Sequence, residues 1–200
     1  MAAAQKHDDS LEKIAADVRG CPLCKLARTR KNAVPGEGQL SAKIMFIGEA
    51  PGHSEDKEGR PFVGAAGRIL DGLLKKAGIE RSQVFITNMV KCRPPNNRVP
   101  KEDELTACRP YLDRQIALIK PKVICILGRT AYSSLLGGSS ITASRGKIVE
   151  RAGQKYFLTF HPAAIIYNKG LLSALEADLK KLAEEINKEE ESKASLEDYL

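Results

Sequence analysis

The chain has 200 residues, 42% of them apolar and 28% charged, with 32 Lys and Arg against 25 Asp and Glu for a net charge of +7. These values exclude a disordered or collagen-like chain and suit one α/β domain with a core, with hardly enough length for two. No apolar run approaches the roughly 20 residues of a membrane-spanning helix, and the opening MAAAQKHDDS lacks the apolar centre of a signal peptide, so a cytoplasmic protein with no membrane partner is expected.

In chain order, residues 9–19 place Leu11, Ile14, Ala15 and Val18 on one helical stripe, with Asp9 or Ser10 able to cap it. The CPLC segment follows as a loop. AKIMFIGEA (42–50) is a continuous apolar run ending in Gly and Pro, the pattern of a buried parallel strand, and VFITNMV (84–90), KVICILG (122–128) and KYFLTFHP (155–162) repeat it. Between them, residues 67–78 present Ile69, Leu70, Leu73, Leu74 and Ala77 on one face and stop at Gly78. Residues 102–119 and 129–136 are also helical in part, with Pro110 expected to break or kink the first. A last amphipathic helix covers 171–191. This alternation of strands and helices predicts a parallel sheet with helices on both faces, in a single domain over residues 1–191 followed by a flexible acidic tail at 192–200.

Charge is uneven along the chain. Residues 176–200 carry −5, which leaves +12 on residues 1–175. A basic body suits a polyanionic partner, because Lys and Arg gain affinity by releasing counterions from phosphates, although a solvated Lys-rich surface gives the same composition. The absence of Trp and the 5% aromatic content argue against a broad stacking platform for single strands.

Five cysteines, an odd number in a reducing compartment, do not form a disulfide framework. Cys125 lies inside an apolar strand pattern, where a thiol acts as a small hydrophobe. The other four are the Cys21-Pro-Leu-Cys24 pair and Cys92 and Cys108, with 15 residues between the last two. Four thiolates suit a structural zinc or an iron–sulfur cluster, and spacing does not decide between them.

In open α/β sheets ligands sit beyond the carboxyl ends of the strands. The first apolar run ends in Gly48-Glu49-Ala50-Pro51-Gly52, a tight turn bearing a carboxylate. The second ends in Asn88, whose amide carries the donor and acceptor that reading one edge of a pyrimidine requires. The fourth ends in His161-Pro162, with an imidazole free to meet a ligand, whereas Gly128-Arg129-Thr130 after the third looks structural. Phe62, between glycines in GRPFVG, has a face that could stack on a base. Each alone has a plain structural reading as a turn or core residue. Together, on a basic body, they suit an extruded nucleobase. The Pro-rich loop RPPNNRVPK (93–101) offers Arg93 and Arg98 to DNA, or is a rigid connection only.

GEAPGHSEDKEGRPFVGAAGRIL, TNMVKCRPPNNR and FHPAAII, with the four separated cysteines, resemble the family 4 uracil-DNA glycosylases, the iron–sulfur branch of that superfamily, over about residues 11–185. The resemblance implies a three-layer α/β/α sandwich around a four-stranded parallel sheet. It also implies one [4Fe-4S] cluster on Cys21, Cys24, Cys92 and Cys108. By motif, Gly48, Glu49 and Ala50 would line the uracil pocket, Phe62 would stack on the base, and Asn88 would hydrogen-bond its Watson–Crick edge. Glu55 would stand near C5 and help to reject thymine. His161 would stabilise charge on the departing uracil, with Glu49 positioning water or stabilising the sugar cation. Ile165, Ile166 or Tyr167 would be the wedge that offsets the cost of flipping. Ala50 stands where the best-known branch has an Asp, and GGSSITASRGK lacks the basic, His-containing insertion of relatives that trap DNA, so turnover is expected. The implied partner is uracil-containing DNA, single- or double-stranded, bound by a monomer. Nothing in the residues supports recruitment by a sliding clamp. The competing reading is a non-catalytic iron–sulfur DNA-binding module.

Overall fold

The computed structural model describes residues 9–197, with side chains described through residue 188. The first helix, α1 (Leu11–Gly20), starts at Ser10, whose Oγ accepts the Lys13 N–H at 3.1 Å, and it buries Ile14 and Val18. A two-residue strand, β1 (Glu37–Gly38), precedes β2 (Ile44–Gly48). Two helices follow, α2 (His53–Glu58) and α3 (Ala65–Lys76), before β3 (Phe85–Asn88). Next come α4 (Glu102–Ile119), β4 (Val123–Leu127), α5 (Arg129–Leu136) and the single turn α6 (Ile141–Ser144). The hairpin β5 (Ile148–Arg151) and β6 (Gln154–Thr159) leads into α7 (Ala164–Tyr167) and the long α8 (Leu172–Glu197).

The strands form one sheet in the order β1-β3-β2-β4-β6-β5. Its central four are parallel, as the apolar runs predict, with Gly48 beside Asn88 and Leu127 beside Thr159 at their carboxyl ends. The sheet is larger than the expected four strands: β1 and β5 add antiparallel edges. Alternation along the buried strands sends successive residues to opposite faces. Met45, Ile47, Ile124 and Ile126 pack with residues of α1, α4 and α5, while Phe46, Val123, Cys125 and Leu127 pack with Leu70, Leu74, Leu175, Leu179 and Leu182 of α3 and α8. The outcome is an α/β/α sandwich.

Helix α4 runs unbroken through Pro110, contrary to the expected break. Pro110 and Thr106, whose carbonyl would have been its partner four residues back, are both exposed, so water can take the lost bond. The same helix is tied to α1 by Arg114, which donates to Asp9 at 2.7 and 2.8 Å and pairs with Asp17 at 2.8 Å. At the other end of the chain, α8 continues through the stretch expected to be a separate tail, as far as Glu197; residues 198–200 of that tail lie outside the described residues. No described helix is long and apolar enough to cross a membrane.

Candidate active site

A cavity of about 480 Å³ opens at the carboxyl edge of the parallel strands. Glu49, Ala50, Glu55, Phe62, Asn88 and His161 all line it, so the residues that sequence reasoning scattered over 113 positions meet in one place. Gly48 lies just beneath. A methyl there would collide with Asn88 Oδ1 and stand 2.9 Å from Phe62 Cζ, so only glycine leaves room for these two side chains.

Asn88 ends β3 and is 1% exposed. Its Oδ1 has no hydrogen-bond partner, the one buried side-chain polar atom so placed among the described residues. Buried acceptors are normally satisfied, and an orphan costs about 1–3 kcal/mol, so this one points to a ligand's donor.

Phe62 adopts φ +51°, a conformation that a bulky side chain rarely takes and that costs on the order of 1–3 kcal/mol. Two features hold it there. Gly67 lets the first turn of α3 close on the Phe62 carbonyl, which any β-carbon would strike. Glu55 supplies the other: Oε1 accepts the N–H groups of Val63 and Gly64 at 3.0 and 2.8 Å, and Oε2 accepts that of Gly52 at 3.0 Å, capping α2. The Glu55 carboxylate is thus largely committed to the backbone on either side of Phe62.

His161 follows β6, its ring 5.5 Å from that of Phe62 at 29° between planes. Burial pushes the imidazole down to about 4, against a weaker upward pull from the Glu55 carboxylate, so it is neutral near pH 7. Nδ1 accepts the Ala163 N–H at 3.1 Å, which leaves the proton on Nε2. The histidine therefore offers the cavity a fixed, uncharged donor.

The end of β4 belongs to this site, contrary to the structural role expected for it: Leu127, Gly128, Arg129 and Thr130 line the cavity. Gly128, at φ +90°, allows the chain to pass close to His161, whose Cβ would lie 2.9 Å from an added methyl. The signal was present in the sequence as a glycine and a cation opening α5, where helix N-terminal amides favour anions.

The rim divides the remaining candidates. Arg98 lines the cavity, but its guanidinium is held by Glu104 in a bidentate pair at 2.7 and 2.8 Å, so it braces the Pro-rich loop. Arg93 lies outside the lining, bonded to Asn97 Oδ1 at 2.7 Å and 3.2 Å from His53 Nδ1. Ile165 is 7% exposed inside the α3/α8 core and cannot reach into DNA as a wedge without unpacking. Ile166 is half exposed, whereas Tyr167, 89% exposed, lines the mouth together with Val99, an exposed residue that sequence reasoning passed over.

Cys92 and Cys108 are buried and Cys21 and Cys24 partly buried, while Cys125 is fully buried in β4. Arg30 Nη1 joins two of the segments, donating to the Cys21 carbonyl at 3.0 Å and to Cys92 Sγ at 3.1 Å. Cys108 Sγ accepts the Lys91 N–H at 3.2 Å. Burial raises the Cys92 thiol, against the Arg30 guanidinium and with Cys24 and Cys21 adding to the rise, and pushes that of Cys108 up to about 11, against Lys91 and with Cys92 and Cys21 adding. Among the described residues no three His, Cys, Asp or Glu side chains close around a point as they would on a single metal ion.

A pocket lined by a buried amide, an aromatic ring and a neutral imidazole at the carboxyl edge of a parallel sheet defines a ligand-binding α/β protein. Residues 35–188 match the family model described as the uracil DNA glycosylase superfamily. The chain is 59% identical over 186 residues to the type-4 uracil-DNA glycosylase of Sulfurisphaera tokodaii, covering 88% of this chain and 84% of that one. It is 43% identical to the type-4 enzyme of Archaeoglobus fulgidus, over 96% and 100% of the two chains, and 44% to that of Thermotoga maritima, over 92% and 98%. The chain belongs to the type-4 family of the uracil-DNA glycosylase superfamily.

Proposed function

We propose that this protein removes uracil from DNA by hydrolysing the bond between N1 of the base and C1′ of deoxyribose, leaving free uracil and an abasic site. The observation that carries the reading is the buried, unpartnered Oδ1 of Asn88 in the same cavity as Phe62 and His161. Uracil presents a donor, N3–H, between two carbonyl oxygens. The Asn88 amide matches that edge, with Oδ1 accepting N3–H and Nδ2 donating to O4. Phe62 supplies an apolar face for the ring.

As the glycosidic bond lengthens, electrons move to the base and the sugar becomes oxocarbenium-like. The Nε2 proton of neutral His161 donates to the oxygen on which negative charge grows, an interaction stronger in the transition state than in the ground state. Glu49, which follows β2 and lines the same cavity, is the carboxylate assigned to hold water and offset the developing cation. Water then adds its hydroxyl to C1′, and its proton ends on uracil. Glu55 contributes by locking the Phe62 loop. Tyr167, at the mouth, is the best-placed wedge for the gap left in the duplex.

In this proposal Cys21, Cys24, Cys92 and Cys108 hold one [4Fe-4S] cluster. Bound there, it would tie the chain around α1, β3 and α4 together and could store an electron. The partner is uracil-containing DNA, drawn to the basic body by counterion release, in the cytoplasm, where cysteines stay reduced.

The test is an oligonucleotide with one uracil, incubated with the protein and then treated with alkali. Cleavage is expected at uracil and not at thymine in the same position, with His161→Ala or Asn88→Ala slowing release about 10²–10³-fold, the scale of losing one preorganised donor. Salt-sensitive DNA binding with no uracil release would leave only the DNA-binding module.

A further inference from the structure

Lys91 is 1% exposed, and the three protons of its ammonium go to three different acceptors: Thr87 Oγ1 at 2.6 Å, the Asn88 carbonyl at 2.9 Å and Gln115 Oε1 at 2.8 Å. Two of those acceptors are themselves anchored to one point, since Thr87 Oγ1 and Gln115 Nε2 donate to the Pro35 carbonyl at 3.1 and 2.7 Å. The backbone of Lys91 is equally committed. Its N–H donates to Cys108 Sγ at 3.2 Å, and its carbonyl accepts the Val34 N–H at 2.7 Å. One residue thus joins the end of β3, helix α4, the chain before β1 and the thiol set.

An ammonium ion is a costly way to fill a core position, because an apolar side chain of the same length would avoid the desolvation penalty. What it does that methionine cannot is converge three short bonds on a junction whose nearest functional neighbour is Asn88. β3 ends at Asn88, and beyond it the Met89 and Val90 N–H groups donate to the Gly48 and Glu49 carbonyls at 2.9 and 3.3 Å, while the Asn88 carbonyl itself accepts from Lys91. Gly48 was shown to leave Asn88 little slack on the opposite side. A shift of the Asn88 carbonyl would therefore move the amide against Phe62 or away from the base.

We propose that Lys91 is a positioning residue for base recognition: its buried ammonium, bonded to Thr87, Gln115 and the Asn88 carbonyl, fixes the amide that reads uracil. The inference rests on the uracil-releasing reading given above. Lys91 touches no substrate, so it acts only through Asn88.

The experiment measures single-turnover uracil release by the full-length protein, purified anaerobically, for wild type, Lys91→Met, Asn88→Ala and the double variant. Lys91→Met is expected to slow release about 30-fold, within the range found for coupled contacting residues, with the apparent KM for uracil-containing DNA changed about twofold or less. Once Asn88 has been truncated there is nothing left to position, so the double variant should be as fast as Asn88→Ala alone. Losses that multiply in the double variant would mean that Lys91 only supports the fold, and would overturn the proposal. Thr87→Val keeps the lysine and removes one of its acceptors. It should lose rate about fivefold with the same dependence on Asn88 and decides the matter if Lys91→Met does not fold. A wild-type protein that releases no uracil refutes the reading of function. Normal wild-type release with unchanged rates in Lys91→Met and Thr87→Val refutes the positioning role alone.

Discussion

Replacing Asn88 by alanine separates stability from function in a way that most core substitutions do not. The side chain is 1% exposed and its Oδ1 has no partner, so the protein without substrate carries a buried acceptor costing about 1–3 kcal/mol. Alanine removes that cost. It leaves no sealed void, because Asn88 already borders the open cavity. For a protein of this length about 1 kcal/mol corresponds to roughly 2–4 °C, so the variant should melt at the wild-type temperature or up to several degrees above it. Uracil release should nonetheless fall about 10²–10³-fold, since the group that reads the base is gone. Free uracil adds a second reading in the same calorimeter: a ligand at 100 times its Kd stabilises by about 2.7 kcal/mol, and this rise should appear in wild type and vanish in Asn88→Ala. A variant that melts well below wild type while retaining release would refute the reasoning, because Asn88 would then be a satisfied core residue.

Other outcomes follow from the same geometry. Glu55→Gln places an amide NH₂ or a neutral carbonyl against the N–H groups of Gly52, Val63 and Gly64, and should destabilise by about 1.5–3 kcal/mol in urea titration while lowering activity through the Phe62 loop. His161, held down to about 4, binds fewer protons in the folded chain than in the unfolded one between that value and about 6.5. Its contribution to stability is therefore complete above about pH 6.5 and is lost as pH falls toward 4, and His161→Gln should flatten the pH dependence of the urea midpoint in that window. Between pH 6 and 8 the release rate should show no step from this residue. Cys108→Ala should abolish the visible absorption of the cluster and lower the melting temperature. Cys125→Ala, changed in the core of β4, should keep the absorption and cost only about 1 kcal/mol.

The four central strands are legible because each is buried on both faces and so written as an unbroken apolar run. The edge strands are not. β1 has two residues, and β5, Ile148–Arg151, is mostly exposed and carries no alternation to read, although the Ala152-Gly153 turn behind it, with both φ values positive, is the kind that closes a tight hairpin. Asn88 and His161 could be selected because each ends or follows a strand, and a parallel sheet gathers such ends at one edge, whereas Phe62, between the helices α2 and α3, stood out only as an aromatic flanked by glycines. Ile165 shows the limit of that logic. Three consecutive residues after His161 looked equally suited to wedge into DNA, and only the packing of α7 against the core decides that Ile165 points inward while Tyr167 points out. Lys91, and the hold of Glu55 on the backbone around Phe62, were out of reach for a related reason: a charged residue reads as surface until the backbone groups that surround it are known.

The site is built by placing residues where they are least comfortable. Phe62 sits at φ +51°, Gly128 at φ +90° lets the chain crowd His161, and Asn88 keeps an acceptor unsatisfied against a glycine that leaves no slack. None of these arrangements survives on local preference, so each needs a clamp from elsewhere: Glu55 and Gly67 for Phe62, Lys91 for Asn88, Ala163 for His161. The strain is spent before substrate arrives, which is what a binding pocket requires if a flipped base is to meet groups already in place. It follows that loosening any one clamp should let the residue it holds relax toward its local preference, moving the reader, the face or the donor out of register. The central sheet can lend this support because its parallel strands bury both faces, and the sites of strain all lie at its carboxyl edge, where turns can deform without opening the ladder.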